Sequence, residues 1–156
     1  MNRKFEIEYQ QFDDIAQMSS EDRELIRAAV RAVKNSYAPY SKFHVGAAVR
    51  LETGDIITGA NQENAAYPSG LCAERTAMFA ANATHPNVPQ TSIAITARYK
   101  GKILDTPPTP CGACRQVMAE YQKIGDRPMS VILYGKKVIY KFEKVDDILP
   151  LIFDSI

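Results

Sequence analysis

At 156 residues, 46% of them hydrophobic and 24% charged, the chain can build one domain around a buried core. Nineteen Lys and Arg against eighteen Asp and Glu leave a net charge of +1, which gives no general electrostatic pull toward nucleic acid or an acidic membrane. No stretch approaches the roughly 18 apolar residues of a membrane span, and Met1-Asn2-Arg3-Lys4-Phe5-Glu6 lacks the apolar core of a secretory signal, so a cytoplasmic location is expected.

Phe5, Ile7 and Tyr9 alternate with polar residues and predict a short strand over 3–10, followed by a polar link. Ser19 or Ser20 is placed to cap the next helix, with Glu21 and Asp22 suiting the positive end of its dipole. Leu25, Ile26, Ala29, Val30 and Val33 keep helical spacing and predict a face packed on a sheet. Tyr37-Ala38-Pro39-Tyr40 ends that helix, since proline restricts the residue before it and has no amide to donate. A hairpin follows, with strands over 43–51 and 55–60 joined by a turn at Thr53-Gly54. Residues 71–83 read as a helix, 91–99 as a strand and 112–123 as a helix; strands over 129–134 and 137–142 and a short helix over 146–149 complete the chain. Strands alternating with helices predict an α/β layered domain around a largely buried sheet. Asp105-Thr106-Pro107-Pro108-Thr109-Pro110 forms a stiff approach to the last helix.

The chemistry concentrates in Cys72-Ala73-Glu74 and Pro110-Cys111-Gly112-Ala113-Cys114, which hold all three cysteines. Three cysteines cannot all pair within one chain, and a C-x-x-C in a reducing compartment reads as metal binding or redox chemistry. A catalytic zinc takes three protein ligands and leaves a fourth position for water, and Cys72, Cys111 and Cys114 match that count. A closed structural site needs a fourth Cys or His, and the two histidines, His44 and His85, stand at no recognisable ligand spacing from the cysteines. All three cysteines fall at predicted helix starts, where the partial positive charge of the dipole offsets the net negative charge of three thiolates on Zn²⁺. Arg75 is placed to donate hydrogen bonds to those sulfurs. Glu74, two residues from a ligand, is expected to reach the water of the fourth position and act as general base, then general acid. The plainer reading of Glu74 is a solvated helical carboxylate.

Taken together, these segments resemble the small homotetrameric cytidine deaminases of pyrimidine salvage, whose zinc pattern they share. The likeness runs from Ser36-Tyr37-Ala38-Pro39-Tyr40-Ser41-Lys42-Phe43 through Val45-Gly46-Ala47-Ala48, Asn61-Gln62-Glu63-Asn64-Ala65-Ala66-Tyr67-Pro68, Cys72-Ala73-Glu74-Arg75-Thr76-Ala77 and Pro110-Cys111-Gly112-Ala113-Cys114-Arg115-Gln116 to Leu149-Pro150 and Phe153. It implies a three-layer α/β/α fold with a mixed sheet of approximately five strands, one zinc ion per subunit, and hydrolysis of cytidine and 2′-deoxycytidine to uridine and 2′-deoxyuridine with release of ammonia. Asn61 and Glu63 would bind the ribose, chiefly its 3′-hydroxyl, and Phe43 would pack on the pyrimidine. The amide of Ala73 would hold the base O2, and the carbonyl of Thr109 would accept from the 4-amino group. Tyr67 and Phe153 would complete a neighbouring subunit's pocket; without the resemblance both would pass for buried aromatics. Residues 1–18 then form an amino-terminal extension ahead of a deaminase domain over 19–156, and a neighbouring subunit is one surface the extension could cover. The loop at Pro107-Pro108 reads as long for the family, and Gln62 stands where an aliphatic residue is common.

Other readings differ in what they leave unexplained. A deaminase of another cytosine nucleoside shares every zinc feature, whereas a nucleotide enzyme lacks a phosphate loop here, Arg98, Lys100 and Lys102 being scattered. A zinc-stapled nucleic-acid module fits poorly with the near-neutral charge, and a zinc-stapled protein-binding domain gives Glu74 no role.

Overall fold

The computed structural model describes residues 1–154. Ten regular elements occur in the order β1 (Gln10–Phe12), α1 (Ser20–Ala32), β2 (His44–Leu51), β3 (Ile56–Ala60), α2 (Ala73–Thr84), β4 (Gln90–Tyr99), β5 (Lys102–Ile103), α3 (Gly112–Ile124), β6 (Ser130–Tyr134) and β7 (Ile139–Phe142), with short 3₁₀ turns between some of them. The strands form one mixed sheet in the order β1-β7-β6-β4-β2-β3, with β5 on β4. Only β4 and β6 run parallel, joined by the crossover that contains α3; the other pairs are antiparallel.

Strand periodicity sorts the core into two layers. On one face Ala47, Val49, Ile93, Ile95, Val131 and Leu133 pack against Ala73, Ala77 and Met78 of α2 and Cys114 and Met118 of α3. Their alternates Ala48, Ala94 and Ile132 point the other way, onto Leu25, Ile26, Ala28 and Ala29 of α1. The architecture is the expected three-layer α/β/α, and its sheet has seven strands instead of about five. Ser19 caps α1, its side chain accepting from the amide of Asp22 at 3.1 Å.

Two glycines let the layers close. A Cβ on Gly46 in β2 would stand 2.2 Å from the Ala29 carbonyl of α1, and one on Gly59 in β3 would stand 2.4 Å from the Ala77 amide of α2. The strand expected over 3–10 is displaced: only Gln10–Phe12 pairs, against Lys141–Ile139 of β7, and residues 1–9 have no regular structure. β7 ends at Phe142, so the ladder that Phe5 and Ile7 would need is missing. Tyr9 instead lays its ring 5.4 Å from Tyr140 and 5.5 Å from Phe142. Tyr9 and Gln10–Phe12 thus contact the chain's own sheet, while Phe5 and Ile7 are exposed. The terminal helix expected over 146–149 is a 3₁₀ turn, Val145–Asp147.

Candidate metal centre and substrate cavity

α2 and α3 begin side by side on the same face of the sheet, and both begin on cysteine. Cys72 is the N-cap of α2 and Cys111 the N-cap of α3, and neither makes the side-chain capping hydrogen bond usual at that position. Cys114 lies one turn into α3, fully buried. The three sulfurs lie within 4.8 Å of one another, with Cys111 and Cys114 3.5 Å apart. A tetrahedral zinc with Zn–S bonds of about 2.3 Å spaces its sulfurs about 3.8 Å apart, so this cluster fits that ion with little rearrangement. Among the described residues no histidine or carboxylate joins it as a fourth ligand.

The electrostatics favour a thiolate at Cys72. The Cys72 thiol is pulled down to about 5, chiefly by the hydrogen bond it accepts from Cys114 and then by Arg75, whose Nη2 lies 3.6 Å from its sulfur. Cys114, as the donor to that thiolate, is pushed up, and burial pushes it the same way. Arg115 is also engaged here: Nε donates to the Pro110 carbonyl at 2.8 Å and Nη1 to the Ile148 carbonyl at 2.9 Å, which fixes the approach to α3 against the terminal segment.

Glu74 is not a solvated surface carboxylate. It is 6% exposed in the first turn of α2, and burial pushes its carboxyl up to about 7, with the neighbouring Cys72 charge raising it further. A carboxyl in that range can both take and give a proton near neutrality.

A cavity of about 460 Å³ brings together Phe43, Asn61, Glu63, Cys72, Ala73, Glu74, Thr109 and Cys111. Segments far apart in sequence thus meet on one wall: the start of β2, the loop after β3, the first turn of α2 and the proline loop. Asn61 is largely committed within the protein, its Oδ1 accepting from the Val45 amide at 2.8 Å and the Ser36 hydroxyl at 2.5 Å, and its Nδ2 donating to the Phe43 carbonyl at 2.9 Å. With both oxygen lone pairs taken and one of two N–H groups used, the side chain has one donor left. Glu63 accepts from the Tyr40 amide at 2.9 Å, the Ser41 amide at 3.3 Å and the Ser41 hydroxyl. The Ser41 hydroxyl, first among these partners, holds the Glu63 carboxyl below its ordinary range. Sequence reasoning gave Ser36 and Ser41 no role and weighed His44 only as a metal ligand; the one signal for the two serines was a pair of hydroxyls in the segment ahead of β2.

The remaining two expected site residues lie apart. Tyr67 lines an adjoining cavity of about 590 Å³ with Tyr40, Asn61, Glu63 and Arg75, and Phe153 lines neither cavity. Neither is the buried aromatic that composition alone would make it, since Tyr67 is 78% and Phe153 83% exposed. Gln116 of α3 holds Phe153 by its backbone, donating to its carbonyl at 2.7 Å and accepting from its amide at 3.0 Å.

The sequence and the fold both have known relatives. The family model described as the cytidine and deoxycytidylate deaminase zinc-binding region matches residues 19–129. A cytidine deaminase of Halalkalibacterium halodurans is 48% identical over 96 residues, 62% of this chain and 68% of that one. One from Sporosarcina psychrophila is 45% identical over 97 residues, 62% of this chain and 67% of its own length. The crystal structure of the cytidine deaminase of Burkholderia pseudomallei superposes with a TM-score of 0.71 at 37% identity, over 87% of this chain and all of that one. A family match over residues 19–129, together with the shared fold, establishes that this chain belongs to the cytidine and deoxycytidylate deaminase family.

Proposed function

We propose that the chain is a zinc-dependent hydrolase that converts cytidine and 2′-deoxycytidine, with water, to uridine and 2′-deoxyuridine and ammonia, in cytoplasmic pyrimidine salvage. The observation that carries this reading is the placement of a buried carboxyl, Glu74, on the same cavity as two of three clustered cysteines and the Asn61–Glu63 pair. Cys72, Cys111 and Cys114 would hold one zinc per subunit, which when bound supplies Lewis acidity and lowers the pKa of water. Glu74 takes one proton of the attacking water and delivers it to N3 of the base as the oxygen bonds C4. It then takes the remaining proton of that oxygen and gives it to the 4-amino group, which departs as ammonia while the C4–N bond breaks and the C4 carbonyl forms. Its raised pKa suits both halves of that cycle.

The rest of the cavity orients the nucleoside. The amide of Ala73, in the first turn of α2 where backbone N–H groups have no intrahelical partner, is suited to the base O2. The Thr109 carbonyl would take the 4-amino group and Phe43 the ring face. Asn61, with its remaining N–H, and Glu63, as an acceptor, are suited to share one sugar hydroxyl, which disfavours a free base. Arg75 supports the thiolates. The high exposure of Tyr67 and Phe153 supports a homotetramer in which each completes a neighbour's site. Ammonia release from cytidine, measured beside zinc content, tests the proposal; metal-loaded protein that leaves cytidine and deoxycytidine intact would refute it.

A further inference from the structure

Asn61 reads a hydroxyl without ambiguity only if it can do nothing but donate, and its oxygen would be a competing acceptor if either lone pair were vacant. The Val45 amide fills one of the two, at 2.8 Å. The other is filled by a side chain from a different part of the chain, Ser36, whose Oγ stands 2.5 Å from Asn61 Oδ1. Two oxygens at that distance must have a proton between them, and the Asn61 oxygen has none, so the Ser36 hydrogen lies there. The 3.1 Å contact between Ser36 Oγ and His44 Nδ1 must then carry a hydrogen from the histidine. The order of donation is fixed from His44 to Ser36 to Asn61, and a single imidazole tautomer, protonated at Nδ1, serves it when the ring is neutral.

We infer that Ser36, oriented by His44, is a positioning residue that makes Asn61 a pure donor toward the sugar and thereby sets selectivity for nucleosides that carry the hydroxyl. The inference rests on the assignment of Asn61 and Glu63 to the sugar given above. Glu63 is acceptor-only while ionised, so a donor-only Asn61 beside it matches a hydroxyl, which both donates and accepts, and nothing simpler. The hydroxyl of Ser36 can be removed without displacing its segment: Tyr37 donates from its amide to the Asn61 carbonyl at 3.0 Å, and Glu63 from its amide to the Tyr37 carbonyl at 2.8 Å.

The test compares cytidine with 2′,3′-dideoxycytidine as substrates for zinc-loaded parent, Ser36→Ala, Ser36→Thr, Asn61→Ala and the Ser36→Ala/Asn61→Ala double variant. Ser36→Ala should raise KM for cytidine roughly fivefold, the loss expected for one hydrogen bond, with kcat little changed and the dideoxy substrate unaffected. Ser36→Thr, which keeps the hydroxyl, should restore the parent KM, and Ser36→Ala should add nothing once Asn61 is Ala. His44→Leu should shift selectivity the same way as Ser36→Ala, and His44→Gln, whose amide can donate to Ser36, should recover it. Ser36→Ala that leaves the ratio of the two substrates unchanged while Asn61→Ala alters it would overturn the relay alone. Equal losses on both substrates in Asn61→Ala would overturn the sugar assignment, and the relay with it.

Discussion

Gly59→Ala is the substitution that best separates a rigidly seated α2 from a loosely seated one. Gly59 sits in β3 beneath the helix, and an added Cβ would meet the Ala77 amide at 2.4 Å, the Ala73 carbonyl at 2.7 Å and the Ala77 Cα at 2.9 Å. All three are backbone atoms, so no side chain can rotate away. Ordinary contact begins at 3.4 Å, which requires α2 and β3 to separate by about 1 Å. The cost expected for such overpacking is about 1 to 3 kcal/mol, or a fall in Tm of about 2 to 12 °C for a chain of this size. The residues displaced include Ala73 and Glu74 in the first turn, so a shift of about 1 Å there should lower kcat/KM by up to about 100-fold. Thermal unfolding and steady-state deamination of cytidine read the two effects. Gly112→Ala is the control, since a Cβ there meets nothing within 4 Å, and its stability should stay within about 0.5 kcal/mol of the parent. A Gly59→Ala variant with parental Tm and kcat/KM would refute the claim that close approach of helix and strand sets the site.

Glu74→Gln should keep zinc, by metal analysis, yet lose at least about 100-fold in kcat, because the amide cannot carry the proton. Cys111→Ala or Cys114→Ala should lose both metal and activity, and chelation of the parent should lower its Tm along with its rate, reversed on adding zinc. Deleting residues 1–9 removes the contacts of Tyr9 with Tyr140 and Phe142 and should cost about 1 to 3 kcal/mol in denaturant unfolding while leaving kcat unchanged. The Glu63 carboxyl is held below its ordinary range in the fold, so its ties to Ser41 and the amides of residues 40 and 41 are intact at neutral pH and lost as pH falls through that lowered value. KM for cytidine should therefore rise at the acid end of the range in the parent, while Glu63→Gln shows a higher KM without that rise.

The central elements were legible in the sequence because pattern and punctuation agree there. The periodicity of α1 and the cysteine starts of α2 and α3 each placed an element within a few residues of its observed bounds, and the cysteine spacing anticipated the clustering of the three sulfurs. Legibility failed where tertiary partners decide. Phe5, Ile7 and Tyr9 alternate like a strand, but β7 ends at Phe142, opposite Tyr9, and leaves Phe5 and Ile7 no strand to pair with. β5 is two residues long and was missed, although Lys100 and Gly101, both with positive φ at 49° and 78°, form the turn that pairs it with β4, and a glycine after lysine was its one sequence signal. The burial of Glu74 and the internal commitments of Asn61 depend on which segments the sheet brings together, and no local pattern encodes them.

The lone parallel pairing in the sheet bears on how the protein matures. Cys72 precedes β4, and Cys111 and Cys114 belong to the crossover leading to β6, so the thiols meet only after that long connection has folded back across the sheet. A nascent chain still short of α3 offers an incoming ion a solitary sulfur, too little to retain it. A site using all three sulfurs therefore needs α3 docked beside α2, and no segment ending before Cys111 can supply it.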